Sequence, residues 1–203
     1  MILKIVLLSL LVSFSFADEF FLDLSQGISI GTVKLDSVSY ITSSSPISNS
    51  SEIGTSMFEV KVGYSFYIYK NLLLEPSLGT GYLQNSGQTL SISPMYALEI
   101  PIMYKDSNIK YGLLAKYNYY PEITTEAVSD SVRFKNKDSF SLGAKIIFGG
   151  GEIIDLFLKY EYIFNAKYKE SFVETNSVNN IIIINSELNL NGGHISAGIR
   201  FKF

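Results

Sequence analysis

Ile195-Ser196-Ala197-Gly198-Ile199-Arg200-Phe201-Lys202-Phe203 alternates apolar with polar or small residues and stops on an aromatic. A period of two places one set of side chains on each face of a strand, so this stretch reads as a β-strand with one oily face. Seven earlier stretches repeat the pattern. Strands of roughly ten residues that close on themselves leave no unpaired backbone edge, which is what a hydrocarbon environment demands. The expectation is an all-β fold: an eight-stranded antiparallel transmembrane β-barrel of up-and-down order.

The first of the seven carries Leu22, Leu24, Ile28 and Ile30 on one face, and slips parity near Gly31 where Val33 and Leu35 are odd. The second sets Phe58, Val60, Val62, Tyr64 and Phe66 against Glu59, Lys61, Gly63 and Ser65. The third sets Leu72, Leu74, Leu78, Thr80 and Tyr82 against Glu75, Ser77, Gly79 and Gly81; Pro76 lacks a ladder donor and predicts an irregularity. In the fourth, Tyr96, Leu98, Ile100, Ile102 and Tyr104 face away from Ala97, Glu99 and Pro101. Lys110, Lys116 and Asn118 mark the polar face of the fifth, Ser141, Gly143 and Lys145 that of the sixth, and Asp155, Lys159 and Glu161 that of the seventh. Connections alternate long and short. The long ones, at 42–56, 84–95, 121–138 and 165–191, are expected as loops, and the apolar 181–184 as a hairpin rising above the membrane. This asymmetry assigns short turns to the periplasmic side and long loops to the exterior.

Over 203 residues the hydrophobic fraction is 47% and the mean hydropathy +0.21, within the ordinary globular range, so composition alone does not reveal a membrane protein. Lys4, an apolar run from Ile5 to Phe16, and the small-x-small Ser15-Phe16-Ala17 give residues 1–17 the form of a secretory signal peptide, leaving 18–203 as one barrel domain. Without cysteine there is no disulfide, thiolate metal site, cysteine nucleophile or lipoprotein anchor. The net charge is −3, or −4 once Lys4 is removed, and no basic run exists to track a phosphate backbone, so nucleic acid is not an expected partner. One histidine and scattered carboxylates lack metal-ligand spacing, and no cofactor is expected.

Alternation alone does not separate this barrel from a soluble lipocalin-like carrier, whose interior is the oily face. Aromatics decide for the membrane: Phe66, Tyr104, Phe148, Phe201 and Phe203 gather near the short turns, and Tyr82, Tyr96, Tyr119, Phe140 and Tyr162 near the long loops, as two interfacial girdles. The opposite face then lines a narrow lumen. Glu59, Lys61, Glu75, Glu99, Lys116, Lys145, Asp155, Lys159, Glu161 and Arg200, with Asp23, Lys110 and Lys202 on the same face, are expected to form a hydrogen-bonded ion network there. A turn centred on Gly150 would set Lys145 directly opposite Asp155.

These features resemble the small outer-membrane barrels of Gram-negative bacteria, of the OmpA transmembrane-domain and OmpX type. The resemblance covers the chain from about Phe20, and Gly198 to Phe203 is similar to the C-terminal aromatic signal, here Phe201 and Phe203, read by the barrel-assembly machinery. It implies Sec-type export, the outer membrane as location, and outer-membrane lipids and the assembly machinery as partners. It carries no activity. The expected function is non-enzymatic: envelope structure, or contact with an extracellular ligand or host surface through the loops. A small lumen-gated channel is the alternative. His194 and Ser196 share a strand face and form a candidate base and nucleophile, similar to the His-x-Ser element of lipid A deacylases, but no acidic orienter follows.

Overall fold

The computed structural model describes residues 19–30, 33–41, 47–53, 55–85, 90–127, 130–149, 151–175 and 181–203; the expected signal peptide lies outside them. In chain order the strands are β1 (Glu19–Ile30), β2 (Val33–Ile41), β3 (Ile47–Ile53), β4 (Thr55–Tyr69), β5 (Leu72–Leu74), β6 (Ser77–Asn85) and β7 (Leu90–Asp106). They continue with β8 (Ile109–Ala127), β9 (Asp130–Gly149), β10 (Ile154–Phe164), β11 (Lys167–Thr175), β12 (Ile181–Asn189) and β13 (Gly192–Lys202).

Eight staves close a ring: β1, β4, β5 with β6, β7, β8, β9, β10 and β13, which pairs back onto β1. All of these pairings are antiparallel. Asp23 faces Lys61 on one side and Arg200 on the other, which closes the wall at the first and last strands. β5 and β6 form one stave interrupted at Glu75-Pro76, where proline has no N–H to give. The neighbours absorb the break: Tyr64 N donates to Pro76 O at 3.3 Å and Glu75 N to Pro101 O at 3.0 Å.

Two of the short turns are tight, at Lys70-Asn71 and Ser107-Asn108, with Lys70 and Ser107 at φ of 43° and 53°. The third is longer than expected. Gly149 pairs with Asp155, so the chain does not reverse at Gly150, and Lys145 lies opposite Lys159 rather than Asp155.

The long connections are corrected. Where loops were expected, β8 and β9 run on together until Ala127 faces Asp130, and β6 reaches Asn85 before β7 resumes at Leu90. The segment 42–56 contains β3 and the start of β4, and 165–191 contains β11 and β12. These excursions build a second, four-stranded sheet in the order β11-β12-β2-β3. The apolar 181–184 lies in β12, held between β11 and β2, and the parity slip near Gly31 marks the chain leaving the barrel for that sheet.

The two faces of the barrel wall are opposite in chemistry. Leu113 and Leu142 are 72% and 57% exposed, while Glu99 and Arg200 are at 0%. A soluble barrel would bury the first pair and expose the second. Rings pair along both borders: Phe20 with Phe203 at 6.2 Å and Tyr104 with Tyr111 at 5.7 Å near the short turns, Phe58 with Tyr82 at 5.8 Å and Tyr117 with Phe140 at 5.2 Å near the long excursions. A charged interior under an apolar belt with aromatic borders is a wall made for hydrocarbon.

Candidate functional site

The lumen is where charge concentrates, and glycine makes room for it. Lys61 faces Gly79, Glu59 faces Gly81, Lys145 faces Gly112 and Glu161 faces Gly143 across the ladder. At Gly79 the charged side chain itself fills the space: an added Cβ would overlap the Lys61 Cγ and the Val60 carbonyl oxygen. A narrow barrel holds long charged side chains only if their cross-strand neighbours are this small.

The ions form one connected column. From the short-turn end, Lys110 meets Glu19 at 3.2 Å and Glu75 at 3.3 Å; Arg200 grips Glu75 at 2.8 Å and Asp23 through two nitrogens, at 2.7 and 3.0 Å. Lys145 links Asp23 at 2.7 Å to Glu99 at 3.4 Å. Glu99 also receives Lys61 and, at 3.4 Å, Lys159. Glu59 gathers Lys61 at 3.3 Å, Lys159 at 2.8 Å and Lys116; Lys116 and Lys159 then reach Glu161 at 3.0 and 3.2 Å. The fully buried members balance, with five carboxylates (Asp23, Glu59, Glu75, Glu99, Glu161) and five bases (Lys61, Lys116, Lys145, Lys159, Arg200). That neutrality matters because an unpaired ion in such a setting costs several kcal/mol.

Asp155 and Lys202 are the two expected network residues set apart: they pair with each other at 2.9 Å in the mouth at the short-turn end. That mouth is a recess of about 280 Å³ lined by Lys105, Lys110, Lys202, Glu19 and Asp155 among others.

Two apolar layers flank the fully buried part of the column, and the sequence reading missed both. Below, Leu73, Met103, Ile147 and Phe157 pack together. The Phe21 ring lies 3.6 Å under the Arg200 guanidinium and the Phe157 ring 4.5 Å from the Lys145 ammonium, cation–π contacts that strengthen on desolvation. The signal was present, since Phe21 shares the parity of Asp23, and Phe157 that of Asp155 and Lys159. Above, Met57, Leu83, Met95 and Ile163 meet Tyr120, Ile123 and Phe134 from β8 and β9, and Tyr168, Leu188 and Leu190 from the β11–β12 hairpin.

This upper cap depends on a twist. On β8 the buried residues change from Asn118 and Tyr120 to Ile123, and on β9 from Ser139 to Phe134, so both strands switch faces at the same level. Pro121 and Asn136 stand opposite each other there, the ladder skips them, and Asn136 takes a φ of 53°. The extension thereby turns its apolar face over the mouth. Tyr168 Oη fastens β11 by donating to Asp138 O at 2.7 Å, and burial pushes its phenol up, which keeps it a donor. Lys137 and Glu170 add an ion pair at 2.8 Å.

His194 and Ser196 both point into this enclosed lumen, each 3% exposed. Ser196 Oγ and His194 Nδ1 have no hydrogen-bond partner, so the hydroxyl is not engaged by the imidazole as a nucleophile with its base would be. Among the described residues no cluster of three or more metal-ligating side chains occurs. Phe201 is half-buried and Phe203 is 75% exposed on the outer wall at the short-turn rim.

A closed antiparallel eight-stave wall, apolar without and ion-paired within, is the fold of the small outer-membrane β-barrels. No family model and no curated protein matches the chain. Among solved structures it is similar to Neisserial surface protein A, at 15% identity over 91% of this chain and 97% of that one, with a TM-score of 0.43. It is similar also to the outer membrane protein OprG from Pseudomonas aeruginosa (11% identity, 92% and 96% coverage, TM-score 0.46) and to the outer membrane protease OmpT from Escherichia coli (10%, 92% and 97%, 0.45). Each is a likeness of chain path and assigns no activity.

Proposed function

We propose that this chain is an exported outer-membrane barrel without catalytic activity, which anchors in the envelope and presents its second sheet and the β8–β9 extension to the exterior. The observation that carries the reading is the lumen, filled by a neutral ion column between two apolar layers, with no engaged nucleophile. A filled lumen favours neither a conducting pore nor lumen chemistry, so contact with an extracellular ligand falls to the sheet outside. Phe201 and Phe203, on the outer wall, serve assembly, and the apolar belt takes outer-membrane lipid.

The absence of cysteine makes the test clean. Lys169→Cys, at a side chain 79% exposed on β11, is expected to react with an impermeant maleimide on intact Gram-negative cells, and Ser107→Cys in a short turn only after lysis. Lipid A from expressing cells keeps its mass, and planar bilayers holding the protein stay silent. The reverse labelling pattern, a trimmed lipid A or steady unitary currents would each overturn the reading.

A further inference from the structure

The outer wall is not uniformly convex. On the segment formed by β8, β9, β10 and β13 a depression of about 600 Å³ opens outward. Its origin lies in two small residues: Ala144 and Ala197 stand at outward positions, one on each side of β10, among the larger Leu113, Ile146, Leu158, Tyr160 and Ile195. Leu113 and Ile195 bound it laterally, Tyr160 crosses it, and Tyr111 closes the end nearest the short turns. Lys145, Lys159 and Ser196 contribute only backbone, since their side chains are buried in the lumen.

We infer that this groove is a binding site for one acyl chain of a glycerophospholipid in the leaflet on the short-turn side. The inference rests on the membrane reading, because the groove is continuous with the apolar belt and its occupant comes from the solvent of that belt. Three inter-strand steps give it a span of about 14 Å across the ladder. With no charged side chain inside, it accepts hydrocarbon and rejects a headgroup. Tyr111, paired with Tyr104 in the aromatic border, places the exit at the interface where a glycerol and phosphate sit. An unfilled hollow would forfeit dispersion contacts along its lining, and a flexible chain recovers them.

The test uses the folded full-length protein, exchanged from phosphatidylethanolamine vesicles into mild detergent and weighed by native mass spectrometry. Wild type is expected to retain one phospholipid. Ala144→Phe and Ala197→Phe, which fill the groove, are expected to lose it at least tenfold, while Ala115→Phe, on the outward face of β8 outside the groove, retains it. Wild type with detergent alone, or equal retention in all four proteins, would overturn the site. Gel mobility with and without boiling separates the two failures: a heat-shifted band with no lipid sinks the groove alone, whereas loss of the shift in wild type sinks the barrel reading beneath it.

Discussion

Glu99→Gln is expected to destabilise the barrel by about 3–5 kcal/mol, the cost of breaking a buried pair while leaving its partners charged. Glu99 serves Lys61, Lys145 and Lys159 at once. Its removal leaves five buried bases facing four carboxylates, and Asp23 and Glu59 already hold other cations. The measurement is urea unfolding in lipid vesicles followed by tyrosine fluorescence. Lys202, 14% exposed at the mouth, offers the contrast: Lys202→Gln gives up a partly solvated pair with Asp155 and costs about 1 kcal/mol or less. Equal losses in the two variants would mean that water reaches Glu99 and that the column is not sealed.

Gly79→Val is expected to cost about 3 kcal/mol, by overpacking rather than by charge. The new Cβ overlaps the Lys61 stem and the Val60 carbonyl, so either the ammonium leaves Glu99 or the β4–β6 ladder opens. Gly151→Ala is the control, because a Cβ there comes no nearer than 3.9 Å to the Ile154 carbonyl. Heat-modifiable gel mobility and the urea midpoint check both. A Gly79→Val barrel with unchanged midpoint would show that the lumen has slack.

The wall was legible in the sequence because two solvents write on it: wherever lipid faces one side and ions the other, parity is forced residue by residue, as in Leu98-Glu99-Ile100. Beyond the membrane border that contrast ends. Thr124, Thr125 and Arg133 lie on a continuing ladder, yet nothing in their polarity separates strand from loop. Pro76 announced its break because a missing donor is a local property. The β9–β10 register was not legible, since a run of three glycines fixes neither the length nor the centre of a turn, and Lys145 went to Asp23 across the lumen instead of to Asp155. Partner choice of that kind depends on barrel closure, which joins residues 122 positions apart. His194 and Ser196 were legible as lumen residues by parity, but the shape of the enclosed space around them was not.

Nitroxide accessibility tests the central claim most directly, with single cysteines introduced into a chain that has none. Labels at Ile100, Leu142 and Leu158 on the outer wall, and at Lys169 on the second sheet, would be read in a phospholipid bilayer against oxygen and a charged nickel chelate. The account predicts that the three wall sites meet oxygen and exclude nickel while Lys169 meets nickel. Nickel access at the wall sites, equal to that at Lys169, would contradict a lipid-facing wall and turn the barrel into a soluble one.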